Sequence, residues 1–158
     1  MEIDELDTRL IDLLVQKANV SSGTLAKQLN VDSSTIRRRM KNLLDQGIIR
    51  ITASPDLSKL GLPVVAFISM EVSNDKIKSV LKELSKYPHA AWVGATSGTF
   101  NVRTVWWLSS AEEIYKILEG EIGKISGILR IETSICLQTE KRESTQIEDI
   151  IPKSITKK

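Results

Sequence analysis

Arg37, Arg38 and Arg39 stand in an unbroken row, with Lys41 just beyond and Ser33, Ser34 and Thr35 just ahead. A guanidinium carries five N–H donors in a planar fork, so it pairs bidentately with phosphate oxygens or with the O6/N7 edge of guanine. Serine and threonine hydroxyls add short-range bonds to phosphates or base edges. Such donors can read a surface only if one rigid element holds them on one side. Without that element, a basic run is merely a solvated face.

The flanking residues supply the element. Ile36, Met40, Leu43 and Leu44 recur at i, i+4, i+7 and i+8, one face of a helix. At about 100° per residue, Ser34, Arg38, Lys41 and Asn42 then point away, with Arg37 and Arg39 on the flanks. Asp32 is the expected N-cap, and Gly47 the expected stop. Upstream, Leu25, Ala26 and Leu29 make the narrow stripe of a shorter helix capped by Ser21. Only Asn30-Val31 separates the two patterns, which demands a sharp turn. A further helix is expected over residues 4–18, with Leu6, Leu10, Leu13 and Leu14 inward and Asp4 and Asp7 as its capping pair. Three helices with this spacing predict a helix-turn-helix head whose last helix suits a DNA major groove. Residues 48–52 are rich in isoleucine and read as a short strand or wing, ended by Ser54-Pro55-Asp56.

The second half alternates differently. Residues 64–72 predict a strand with Val64, Ala66, Ile68 and Met70 on one face and Val65 and Phe67 on the other. A helix follows over 74–87, carrying Ile77, Val80, Leu81 and Leu84 inward. Strands at 90–96 and 100–108 flank the turn Ser97-Gly98-Thr99. Ser109 or Ser110 caps another helix, running to about residue 121 or 125. After Gly127 comes a strand over 129–138, with Leu129, Ile131, Thr133, Ile135 and Leu137 on one side. The fold class is α+β: an N-terminal (winged) helix-turn-helix followed by a ferredoxin-like βαββαβ domain. Two helices cover one face of a four-stranded sheet, so a first strand that is apolar on both sides predicts a homodimer. Trp106 and Trp107 point to opposite faces, which places one of them toward a partner or a ligand pocket. The expected organisation is a DNA-binding head at 1–56, a hinge at 57–63, a sensing and dimerisation domain at 64–140 and a tail at 141–158. In that tail Ile147, Ile150 and Ile151 are expected to dock locally.

Composition agrees. The net charge is +2, but it is segregated: Glu2, Asp4, Glu5, Asp7 and Asp12 face Arg9 alone, while the arginine row, Lys41 and Arg50 face Asp45. One cysteine, Cys136, rules out an internal disulfide. There is no apolar run of about 20 residues and no secretory leader, so a cytoplasmic protein without membrane contact is expected. The single histidine, His89, has no catalytic neighbour in sequence, and Cys136 alone cannot hold a metal. Gly-rich phosphate loops, Gly-x-Ser-x-Gly and His-Glu-x-x-His are all missing, so no enzyme, metal or cofactor is expected.

The segments IDELDTRLIDLL, LAKQLNVDSSTIRRRMKNLLDQGII, the hinge from Asp56 to Gly61, the TSGTFN turn and ISGILRIETSICL occur in order. In this the chain resembles the Lrp/AsnC, or feast/famine, transcription regulators from about residue 3 to residue 139. The resemblance implies dimers, further assembled into tetramers or octamers, that bind pseudo-palindromic double-stranded operators and respond to a small-molecule effector. It assigns base edges to Ser34 and Arg38, phosphates to Arg37, Arg39 and Lys41, and groove entry to Ser33 and Thr35. The alternative for Arg39 is an ion pair inside the head with Asp7 or Asp12. The effector turn is Gly98-Thr99-Phe100-Asn101, where many relatives carry aspartate in place of Asn101. Asparagine cannot pair electrostatically with an α-ammonium, so a plain amino acid is a poorer fit here. Two other readings follow from related folds: a sirohaem decarboxylase, which one histidine serves badly, and a low-specificity DNA-organising protein.

Overall fold

A computed structural model describes residues 3–140 and 156–157 of the 158. They form two compact units, one from residues 3–53 with 156–157 and the other from residues 54–140.

The first unit opens with a two-residue strand, β1 (Ile3–Asp4), and runs directly into α1 (Glu5–Gln16). Asp4 accepts from the Asp7 amide at 2.8 Å and Asp7 accepts from the Asp4 amide at 3.3 Å, a reciprocal capping box. Helix α2 (Ser22–Leu29) is capped by the Ser21 hydroxyl, which accepts from the Thr24 amide at 3.1 Å. It ends at Asn30, whose φ of 55° is a left-handed conformation that asparagine tolerates. Helix α3 (Ser33–Asp45) follows; Asp32 holds its N-cap position but makes no side-chain capping bond. Leu10, Ile11, Leu14, Leu25, Ala26, Leu29, Ile36 and Leu43 form the core between the three helices. Leu44, expected on the buried face, is 40% exposed, because it lies one step round the helix from Leu43.

Residues 48–52 do not form the expected strand. The Ile48 and Ile49 amides both donate to the Leu43 carbonyl, at 2.9 and 3.3 Å, so the chain folds back over the end of α3. Ile49 packs on the core while Ile51 stays exposed. A strand needs a neighbour, and the pairing in this unit lies elsewhere: β1 runs parallel to β6 (Thr156–Lys157), with Asp4 opposite Lys157. Two residues of the expected tail therefore belong to this unit, and the expected docking of Ile147, Ile150 and Ile151 lies outside the described residues.

In the second unit, the expected hinge holds a short 3-10 turn at Leu57–Leu60, capped by Asp56, whose carboxylate accepts from the Ser58 amide and hydroxyl. Then come β2 (Val64–Val72), α4 (Ile77–Leu84), β3 (Ala90–Ala95), β4 (Val102–Leu108), α5 (Ala111–Gly120) and β5 (Ile128–Ile135). The helix expected over 74–87 is thus shorter, beginning as a 3-10 turn at Asn74–Lys76. The antiparallel sheet has the order β3-β4-β2-β5, the ferredoxin-like arrangement. One face carries the core: Ala66, Ile68, Met70, Val102 and Trp106 beneath Val80, Leu84, Ile114 and Ile117. Trp106 is fully buried, and its indole N–H donates to the Thr104 hydroxyl at 2.6 Å. The register slips between Glu71 and Val72, so Ile128 rather than Leu129 faces the core. Leu129 is 65% exposed and leaves the side on which plain alternation had placed it with Ile131.

The opposite face is open and partly apolar. Val65 lies across from Trp107, Phe67 across from Val105, and Trp92 across from Val105 on the other flank. Phe67 and Trp92 are 43% and 49% exposed. A Cβ on Gly94 would sit 2.5 Å from the Trp92 ring, so a side chain there would push that indole aside. No helix among the described residues is long and apolar enough to cross a membrane.

Candidate nucleic-acid interface and effector turn

Helix α3 turns Ile36 and Leu43 fully inward, so the residues between them are fixed in direction. Ser34, Arg37, Arg38 and Lys41 are exposed, while Ser33 and Thr35 are half-buried at the first turn. Arg37, Arg38 and Lys41 make no ion pair among the described residues. The helix therefore offers two free guanidiniums and an ammonium to solvent.

Arg39 faces elsewhere. Its Nη1 donates to Asp7 Oδ1 at 2.8 Å and lies 2.7 Å from Asp4 Oδ2. Its side chain is 21% exposed and that of Asp7 only 3%. Expected on a phosphate, Arg39 is instead engaged by the two carboxylates that cap α1, the alternative the sequence left open for Asp7. The Asp7 bond raises the Arg39 pKa, outweighing the burial that opposes it. Burial pushes the Asp4 carboxyl up, but the Asp7 amide and the Arg39 guanidinium outweigh it and leave Asp4 below its ordinary value. The sequence shows the capping box and leaves an Arg39–Asp7 pair open as the alternative; the second carboxylate, that of Asp4, is what it did not suggest.

At the β3–β4 turn, Gly98 takes φ = 100° with open space where a Cβ would stand, so conformation rather than room requires glycine there. The Thr96 amide donates to the Asn101 carbonyl and the Thr96 hydroxyl to the Phe100 carbonyl, both at 2.9 Å. Thr99 is exposed at the tip. Asn101 spends both ends of its amide on the backbone of β2: Oδ1 accepts from the Val72 amide at 2.8 Å and Nδ2 donates to the Val72 carbonyl at 2.7 Å. The Arg130 guanidinium lies 5.5 Å from the Phe100 ring centroid, within cation–π range. The four turn residues thus share one loop, and Asn101 is the one whose side chain is tied to the sheet.

His89 is exposed, with Nδ1 3.0 Å from the Trp107 carbonyl. No cluster of three metal-ligating side chains occurs among the described residues.

Known proteins bear the same two parts. A family described as winged helix-turn-helix DNA-binding matches residues 3–50, and the Lrp/AsnC ligand binding domain matches residues 65–146. A helix-turn-helix-type transcriptional regulator of Pyrococcus horikoshii is 30% identical over 142 residues, spanning 89% of this chain and 90% of the relative. The regulator LrpA of Pyrococcus abyssi is 27% identical over 140 residues, spanning 88% and 99%. Among solved structures, E. coli AsnC superposes with a TM-score of 0.82 at 28% identity, covering 91% of this chain and 98% of that one. A Neisseria meningitidis transcriptional regulator in complex with L-Met shares the fold, with a TM-score of 0.83 at 19% identity, covering 89% and 94%.

Proposed function

The chain belongs to the Lrp/AsnC family of helix-turn-helix transcription regulators, and on that footing we propose that it reads pseudo-palindromic operators as a homodimer. The observation that carries the reading is the division of α3, with Ile36 and Leu43 buried and Arg37, Arg38 and Lys41 unpaired on the outer side. Arg38 and Ser34 contact base edges, Arg37 and Lys41 contact phosphates, and Ser33 and Thr35 sit at the groove entrance. Residues 1–56 act as the reading head, 57–63 as its hinge and 64–140 as the sensing and pairing domain. Two heads on one dimer engage half-sites about one helical turn, or roughly 34 Å, apart.

The open sheet face supports pairing with a second copy. Val65, Phe67, Trp92, Val105 and Trp107 make a contiguous stripe across β2, β4 and β3. Burying exposed aromatic surface of this kind drives association. Tetramers or octamers follow by further contacts between dimers.

An effector acts at the loop of Gly98, Thr99 and Phe100. The L-Met bound by the Neisseria regulator favours an amino-acid-like compound. Asn101 contributes by holding that loop to β2, since each end of its amide bonds the Val72 backbone. The activity is regulatory and not enzymatic.

The test is selection of bound duplexes from a random pool by the full chain, followed by footprinting with and without a panel of amino acids. A recovered palindrome with two protected half-sites supports the reading. A pool that stays random, with operator and random duplex bound within about tenfold of each other, favours a DNA-organising protein instead.

A further inference from the structure

Three features of one side chain bear on how the reading helix is held. Arg39 sits on α3 between the free Arg38 and the free Lys41, yet its Nη1 is 2.7 and 2.8 Å from carboxylates on a different element. Those carboxylates are not loose surface groups. Asp4 Oδ1 accepts from the Asp7 amide and Asp7 Oδ2 from the Asp4 amide, so each has one oxygen fixed by the cap and the other turned to Arg39. The third feature is Arg39 Nε, which is buried without a hydrogen-bond partner. A guanidinium that has given up water even on this atom is seated in the protein. It is not a side chain waiting for a phosphate.

We propose that Arg39 is a positioning residue that fixes the roll of α3 on α1 through the Asp4–Asp7 capping box, and so decides that Arg38, not Arg39, meets the bases. The inference rests on the DNA-reading assignment of α3. A helix packed only by aliphatics can roll by several degrees about its axis at small cost. A charged fork locked to the first turn of a neighbouring helix removes that freedom. The same pair of carboxylates neutralises Arg39, so the head presents two guanidiniums and one ammonium to DNA rather than three and one.

The two roles separate by salt dependence. Each lysine or arginine on a phosphate contributes about 0.9 to the slope of log K against log salt, whereas a residue that only orients its neighbours contributes none. Arg39→Gln, Arg39→Lys and Asp4→Asn are measured in the full chain against a selected operator and random duplex, with Lys41→Ala alongside. Asp4→Asn keeps a good N-cap while removing the charge. If Arg39 positions, Arg39→Gln leaves the slope within about 0.3 of wild type while the operator-to-random ratio falls at least fivefold. Asp4→Asn then lowers the ratio in the same direction. A slope that drops by about 0.9 with the ratio intact overturns the proposal, since Arg39 is then a phosphate ligand. A ratio and slope both unchanged overturn it too, because the ion pair is then a bystander. Should Arg39→Gln fail to fold, Arg39→Lys and Asp4→Asn decide by the operator-to-random ratio alone, since both keep a cation at position 39: a ratio that falls supports the positioning role and a ratio that holds overturns it. Wild-type protein that selects no duplex instead removes the DNA-reading assignment itself.

Discussion

Asn101 grips Val72 from both sides, accepting from its amide at 2.8 Å and donating to its carbonyl at 2.7 Å. The side-chain amide thereby extends the β2–β4 ladder just past Met70–Val102, the last backbone pair. Only a group with a donor and an acceptor at one end can do this. Aspartate, whose ionised carboxylate only accepts, cannot.

Replacing Asn101 by Asp should therefore destabilise the sheet unit, by about 1–3 kcal/mol, since a carboxylate is set against a carbonyl oxygen. Urea unfolding followed by circular dichroism measures this. Asn101→Asp that gains amino-acid affinity at unchanged stability would contradict the clasp.

Acid should weaken the head through Asp4. Its folded pKa lies below the ordinary value, so its contribution is complete above the unfolded value of about 4 and is lost as pH falls through the lower folded one. The denaturation midpoint should hold level from neutral pH to about 5 and then decline below about 4. In Asp4→Asn the decline should be shallower, and an identical acid limb in both proteins would show that Asp4 is not coupled to folding.

Arg38→Ala should cost about 1–3 kcal/mol on the operator while random duplex loses less, because base-edge contacts carry sequence information. Lys41→Ala should weaken both alike and lower the salt slope by about 0.9. Fluorescence anisotropy at three salt concentrations separates the pair. The assignment fails if Arg38→Ala weakens both duplexes equally.

Phe67→Glu should leave the fold intact, since the side chain is 43% exposed in the single chain. It should also lower the molecular mass seen by light scattering, because a carboxylate carries a desolvation cost between two apolar sheets that a phenyl ring does not. A variant that keeps the wild-type mass would move the pairing surface elsewhere.

Much of this was legible from residue spacing. The Asp4–Asp7 cap, the limits of β2 and the inward set Ile36 and Leu43 follow from period and chemistry alone, because local rules dictate them. What could not be read depends on distant partners. Leu129 leaves its expected side because the register slips opposite Glu71 and Val72. Residues 48–52 have strand composition but find no strand beside them among the described residues. Arg39 looks like its neighbours in sequence, which left a phosphate and Asp7 both open, and the choice between them comes from two carboxylates across the helix packing. Asn101 shows a missing charge in the sequence, but its bond to Val72 comes from the pairing of β2 with β4.

The contrast between the indoles of Trp92 and Trp106 gives the molecule an internal dye. Trp106 is sealed in the core at 0% exposure, so its emission stays blue at any concentration. Trp92, beside Gly94 and 49% exposed, should emit from water until something covers it, and Trp107 shares its sheet face. Diluting the unlabelled chain and watching its emission redden would report the moment the sheets part.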